Sequence, residues 1–377
     1  MKITFYSNFL NHHQISFCNE MYDALGSRFT FVSTMKTPQW LLDSGYYNFE
    51  NEEFNLLAHE NNENYRHALE LSISSDIVII GSAPELYVKE RLKHNKHTFR
   101  FSERLIKNLK LNFFSPRNIS QLFKKHTLYR NKNLYMLCAS GFTSKDCKVF
   151  FSYPKKKYKW GYFLAKSKFN IEDLIANKPN KRIELIWVAR FLDWKHPELA
   201  IKLVYELRQK GFDIYLKMIG SGPLLKSSKE LANKLDIQNF ISFIGNLQNK
   251  DVLKLMKMSN IFLFTSDRNE GWGVVLNEAI MCGCAIVASN KIGSVPYLIN
   301  NNENGLIFQS NSINDLTEKV IRLINDKNLR ESLSRNAFNY VNNNWCAENA
   351  SKAFLTLSKS ILQNEKNIII SGPCSPA

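Results

Sequence analysis

The chain is predicted to fold as two doubly wound α/β halves, each a parallel sheet covered by helices on both faces. Three observations carry this. Short apolar runs rich in β-branched residues recur along the chain, as in "IELIWVAR", "IFLFTS" and "CAIVAS". Helical patterns separate them, which is the rhythm of parallel strands joined by crossover helices. The 377 residues exceed one ordinary core, and periodicity fails near residues 151 to 180, where "ANKPNKR" stands, so two domains are expected.

In order, "KITFYSN" reads as a strand and "ISFCNEMYDALG" as an amphipathic helix closed by Gly26. "FTFVST" is the next strand, and "SSDIVIIGSA" a fully buried one with its helix before it. "NLYMLCAS" is another, followed by "TSKDCKVFF", where Thr143 or Ser144 is placed to cap a helix. The second half repeats the scheme more clearly. After the strand "IELIWVAR" come the helix "HPELAIKLVYELRQKG", closed by Gly211, and the strand "FDIYLKMIG". Then follow "LLKSSKELANKL", "FISFIG", "NKDVLKLMKMS", "IFLFTS", "VVLNEAIMCG" and "CAIVAS". Amphipathic helices are predicted at about 313–326 and 347–365; the tail "IIISGPCSPA" receives no role. The expected division is 1–165, 166–345, and 346–377 as a helix crossing back to the first domain plus the tail.

Seven cysteines form an odd set without a C-x-x-C pair. Cys282-Gly283-Cys284 sits in an apolar run and reads as buried small hydrophobes, which suits a reducing cytosol. "MKITFYSNFL" enters a strand pattern directly, so no signal peptide is expected, and no run is long enough to span a bilayer.

The net charge of +16 is unevenly spread. Residues 86–160 carry 19 Lys and Arg against Glu90, Glu103 and Asp146, a net of +16, whereas residues 1–85 are at −7 and 161–377 at +7. Interleaved with Phe, Leu and Tyr, this block admits an anionic membrane face, a solvated surface or a nucleic-acid groove.

The chemistry is expected at the carboxyl ends of the second-half strands, where open α/β sheets bind ligands. Arg190 and Lys195 follow the first strand, Gly220 and Gly222 the second, and Gly245 and Asn246 the third. "RNEGWGVVLNEAI" follows the fourth. In it Glu270 and Glu278, with no evident cationic neighbour, flank Gly271-Trp272-Gly273. Taken singly, these residues read equally well as surface charges, turn glycines and a first-turn glutamate. Together they suit a nucleoside diphosphate carrying hydroxyl-bearing groups. Arg190 and Lys195 would supply positive charge, and Gly271, Gly273 and the amides near Val274 a close anion approach. Glu270 and Glu278 would be acceptors for hydroxyls, at most about 12 Å apart along a helix rise.

Glu270-GWGVVLN-Glu278, an E-x7-E motif, resembles the signature of glycosyltransferase family 4 (group 1), of the GT-B fold. "VARFLDWKHPELAI", "MIGSGP", "FIGNL", "GCAIVAS" and "NGLIF" match too, over about residues 183–310. The resemblance implies two Rossmann-like domains facing across a cleft, a nucleotide-sugar donor and retention of the anomeric configuration. It implies Arg190 and Lys195 on the diphosphate, Glu270 on the transferred sugar and Glu278 on the ribose. Gly271, Trp272, Gly273 and Val274 would line the donor through backbone amides, and Gly245 and Asn246 would lie near the base. Front-face attack, in which the leaving phosphate takes the acceptor's proton, makes Arg190 and Lys195 the main catalytic groups. The expected donor is UDP-linked, with other bases open; neither metal nor further cofactor is expected, and no D-x-D triplet is present.

Departures from the family pattern fall mostly on the acceptor side. The first loop reads "SNFLNHHQ" where relatives are glycine-rich, and "FRFSER" stands where a histidine is usual. His12, His13, Arg100, Ser102 and Glu103 are the acceptor-side candidates. Tyr297, in "GSVPYLI", replaces a usual carboxylate. The expected partners are a glycan or lipid-linked acceptor and an anionic membrane surface met through residues 86–160, with no nucleic acid. The setting would be cytoplasmic, on the inner membrane face, in surface-polysaccharide synthesis. Two rivals remain: a GT-B epimerase or phosphorylase, and a nucleic-acid binder using the basic block.

Overall fold

Strand β1 (Ile3–Ser7) is buried along its whole length, as an apolar run at the centre of a two-faced sheet should be. The computed structural model describes residues 1–43, 47–106 and 115–377. The chain divides into two units: Met1–Lys166 with Asn344–Ala377, and Ser167–Asn343.

In the first unit β1 pairs with β2 (Phe29–Ser33) and β4 (Ile77–Ile80). The full order is β3-β2-β1-β4-β5-β6-β7, with β3 at Asn55–Leu57, β5 at Thr98–Ser102, β6 at Leu134–Cys138 and β7 at Lys157–Lys159. Every pairing is parallel. The helix Ile15–Leu25 packs against the helix Ala347–Leu362, where Phe17 meets Phe354 at 6.3 Å between ring centroids.

The second unit runs β10-β9-β8-β11-β12-β13, again all parallel. Its strands are β8 (Ile183–Val188), β9 (Ile214–Ile219), β10 (Ile241–Gly245), β11 (Ile261–Phe264), β12 (Ala285–Ser289) and β13 (Leu306–Phe308). Numbered within the unit this is 3-2-1-4-5-6, the doubly wound order. The helix Pro197–Gln209 buries Leu199, Ile201, Leu203, Val204 and Leu207 against the sheet. Each such side chain contributes about 1.5–3 kcal/mol of transfer free energy.

Lys178 ties the start of this unit to its core. Its buried ammonium donates to Met256 O (3.0 Å) and Cys282 O (2.8 Å), carbonyls at the ends of the helices Asn249–Lys257 and Val275–Met281. A cation there complements the negative helix ends. Cys282 and Cys284 are buried free thiols beside it.

Several elements differ from expectation. Thr143 and Ser144 do not cap the helix Thr143–Val149: Phe142 holds the cap position, and Ser140 accepts from the Phe142 and Thr143 amides instead. Strand β5 carries Arg100 in its centre, which breaks the apolar run; the carboxylate of Glu85 neutralises it there (2.6 and 2.9 Å). Strand β7 lies within the stretch where the sequence periodicity fails. The tail has a place too. Cys374 N–H donates to Lys159 O (2.8 Å), Lys159 N–H to Ser375 O (2.8 Å) and Ala377 N–H to Lys157 O (3.1 Å). The tail thus covers the β7 edge, and Cys374 is fully buried. A helix at Lys327–Asn344, polar and asparagine-rich, also lacked a sequence signal. Residues 107–114 of the basic block lie outside the described residues.

Candidate active site

In the second unit the chain reverses its winding between β8 and β11, and the loops at the carboxyl ends there form one continuous rim. Phe191 N–H donates to Ser221 O (2.8 Å), joining the loops after β8 and β9, and Gly220 N–H donates to Gly245 O (2.8 Å), joining those after β9 and β10. Asp267 N–H donates to Trp194 O (3.0 Å) and Gly293 N–H to Glu270 O (3.2 Å), which extends the rim to the loops after β11 and β12. Gly220 makes the closest approach possible: at φ +129° a Cβ there would lie 2.0 Å from Ala189 O. Only a residue without a side chain fits.

Glu270 lies at the centre. Lys195 Nζ donates to its Oε2, and Ser266 Oγ donates to the same oxygen at 2.9 Å. Both charged side chains are about nine-tenths buried. Trp194 flanks the ammonium, its ring centroid 4.2 Å from Lys195 Nζ. Thr265 fixes the loop that carries the lysine, donating to Lys195 O (2.6 Å) and accepting from the Trp187 indole (2.9 Å). The sequence leaves Glu270 without a cationic neighbour; folding supplies one from 75 residues away.

Trp272 turns inward. Its ring is buried, its indole N–H donates to Asn277 Oδ1 (2.9 Å), and its carbonyl accepts from Ser294 Oγ (2.6 Å). It therefore offers the rim its backbone alone. Tyr297 packs on it, with ring centroids 6.1 Å apart. Gly271 is buried, Gly273 half-buried and Val274 buried. The helix opens only at Val275, so a helical rise does not measure the step from Glu270 to Glu278. Glu278, in its first turn, accepts from Asn249 Nδ2 (2.7 Å). Burial pushes its carboxyl above the usual carboxylate range, opposed by that amide. Arg190 and Asn246 are exposed.

The first unit has its own crevice at the corresponding reversal, between β1 and β4, reaching the end of β5. His13, Ser102 and Glu103 line it with Ser7, Asn11 and Gln14. His12 lies against His13 with the rings tilted and their centroids 3.6 Å apart. Burial lowers His12 to about 4, and burial with the neighbouring His12 lowers His13 to about 3. Arg100 does not line this crevice: it is 2% exposed and committed to Glu85. Sequence reading missed Ser266, Trp194 and Asn249, each an ordinary residue until folding sets it beside a charge. Among the described residues no three His, Cys, Asp or Glu side chains gather as a metal site requires.

Two Rossmann-like units, each doubly wound, define the chain as a GT-B fold. Over residues 170–340 it matches the glycosyl transferases group 1 model. An uncharacterized glycosyltransferase of Methanocaldococcus jannaschii is 30% identical over 270 residues, 69% of this chain and 65% of the relative. A capsular polysaccharide biosynthesis glycosyltransferase of Staphylococcus aureus is 28% identical over 178 residues, 45% of this chain and 44% of the relative. The chain thus spans less than two thirds of either relative's length. Among solved structures, Anabaena HepE in complex with UDP and glucose is similar in fold, with TM-score 0.64, 15% identity and coverage of 97% of this chain and 99% of that one.

Proposed function

We propose that the chain is a retaining, metal-independent glycosyltransferase. It moves a hexose-type sugar from a nucleoside diphosphate donor, UDP-linked, to a hydroxyl acceptor on a lipid-linked or growing surface-polysaccharide glycan. The observation that carries this reading is the rim of the second unit, where Lys195, Glu270 and Ser266 meet beside glycine loops and an exposed Arg190.

On the donor, Arg190 and Lys195 stabilise the charge that develops on the departing diphosphate. Lys195 then shares its ammonium between Glu270 and phosphate. Glu270 accepts from hydroxyls of the transferred sugar, Glu278 from the ribose, and backbone amides from Gly271 to Val274 hold phosphate oxygens. The leaving phosphate takes the acceptor's proton, so no protein base is needed. Gly220 and Gly222 keep the neighbouring loop low, and Gly245 and Asn246 border the base. The similarity to a capsular polysaccharide enzyme and to a structure solved with UDP supports the donor class and setting.

The basic block gives the reading a cellular place. Leu86, Ile119, Phe123 and Leu128 are exposed among Lys89, Arg117, Lys124 and Arg130. Such a face suits an anionic membrane surface on the cytoplasmic side, and among the described residues no helix is long and apolar enough to cross the bilayer. Two assays test these statements. With polyprenyl-linked glycans as acceptors, nucleotide release from one sugar nucleotide and a product of unchanged anomeric configuration by NMR are expected. An inverted product, or no release from any donor, refutes the reading. In sedimentation at moderate salt, anionic vesicles should carry the protein down and neutral ones should not; equal behaviour removes the membrane part.

A further inference from the structure

The crevice of the first unit differs electrostatically from the rim of the second. Its volume is about 330 Å³, near the small end of the range of about 300–1,000 Å³ for small-molecule sites. Ser7, Asn11, Gln14, Ser82 and Ser102 supply its polar wall with uncharged donors and acceptors. His13 joins them as a neutral ring at physiological pH, because burial and His12 lower it to about 3.

The one arginine of the wall is already committed. Arg104 is paired with Asp146 (3.2 Å), whose other oxygen accepts from the Leu105 and Ile106 amides. Glu103 is the carboxylate of the wall, and Tyr162 OH donates to it at 3.4 Å. A helix beginning at Ile15 would by itself favour an anion at this end of the sheet. The preceding loop offsets that: Asn11 O accepts from the Gln14 and Ile15 amides (2.9 and 3.0 Å), and Asn11 Oδ1 accepts from the His13 amide (3.0 Å). The loop "SNFLNHHQ" adds no Lys or Arg.

Two polar atoms of this wall, Gln14 Oε1 and His13 Nδ1, are buried without a protein hydrogen-bond partner. Buried polar atoms in native proteins are nearly always satisfied, so this pair, on two residues that line the crevice, leaves hydrogen-bonding capacity that the chain itself does not fill.

We propose that this crevice is the subsite for an uncharged, hydroxyl-rich sugar and that it rejects sugars bearing a carboxylate or phosphate. The inference rests on the transferase reading, in which this sugar is the acceptor end that receives the new unit. Gln14 and Asn11 orient its hydroxyls. Glu103 sets the specificity, accepting from a hydroxyl and repelling an anion.

Saturation-transfer NMR on the full chain tests this with methyl glycosides of glucose, galactose, mannose and N-acetylglucosamine. Each is compared with its 6-phosphate and, for the hexoses, its uronic acid, with UDP in the same tube. At least one neutral glycoside is expected to bind roughly tenfold or more tightly than its charged counterparts. Gln14→Ala should weaken it, and Glu103→Gln should admit the charged counterpart while the UDP signal persists as the check on folding. Equal or tighter binding of charged sugars, or no glycoside binding at all, overturns the proposal. A neutral-sugar preference in a protein that binds no nucleotide sustains the sugar site and refutes the transferase reading instead.

Discussion

Lys195 and Glu270 hold each other at the centre of the second unit's rim, joined by Ser266. The pair is about nine-tenths buried on both sides, so removing one partner strands a charge in the protein. Lys195→Met and Glu270→Leu, made singly, are each expected to lower the unfolding free energy by about 3–5 kcal/mol. The double variant Lys195→Met, Glu270→Leu should lose much less than the sum of the single changes. Urea titrations of the four proteins measure this. Additive losses would show that the two side chains do not stabilise one another.

The rim glycines differ in what they tolerate. A Cβ on Gly220 would strike backbone at 2.0 Å, whereas one on Gly245, at φ +84°, meets nothing within 4 Å. Gly245→Ala should therefore cost only the left-handed conformation, about 1–2 kcal/mol. Gly220→Ala should cost clearly more and shift the loop that carries Arg190. Urea midpoints give the order; equal costs would mean that the loops after β8 and β9 are not packed together.

Burial gives the first unit a pH response. Folded, His12 and His13 take protons only near 4 and 3; unfolded, both do so near the ordinary value of about 6.5. Between those values the unfolded chain binds more protons. Stability contributed by these residues is therefore present above about pH 6.5 and falls as pH drops toward 4. Urea midpoints at about pH 7 and about pH 5 should separate less in His12→Gln, His13→Gln than in the parent. An unchanged separation contradicts the assignment.

The tail closes the β7 edge through three backbone hydrogen bonds, and Ser144 Oγ donates to Ala377 O (2.9 Å). Ending the chain after Ser371 removes these and the buried Cys374. A loss of about 2–4 kcal/mol is expected, with a greater tendency to associate through the bared strand. Thermal unfolding and light scattering read both; an unaltered melting temperature would make the tail a passenger.

How far the sequence reveals all this depends on the range of each interaction. Runs such as Leu185–Val188 and Ala285–Ala288 are legible because a strand covered on both faces needs unbroken apolar residues. Thr98–Ser102 is illegible because Arg100 is tolerable there only with Glu85 beside it. The site shows the same division. Loop position brings out Arg190, Lys195, Glu270 and Glu278, since chemistry gathers at strand ends. The partners Ser266 for Glu270 and Asn249 for Glu278 carry no local signal, and the Asn249 contact spans 29 residues. Trp272 stands between two glycines with no local sign of where its ring goes; the fold turns it inward, with its indole bonded to Asn277. Backbone pattern is local, whereas pairing of side chains follows only from the completed fold.

The most direct test of the donor site is isothermal titration of the full chain with UDP, GDP and ADP, repeated on Arg190→Ala and Glu278→Ala. UDP is expected to bind. Arg190→Ala should weaken it by roughly tenfold or more, the loss typical of one charge-assisted contact, and Glu278→Ala should weaken it as well. No binding of any nucleotide, or binding that both variants leave unchanged, would contradict a donor site on this rim.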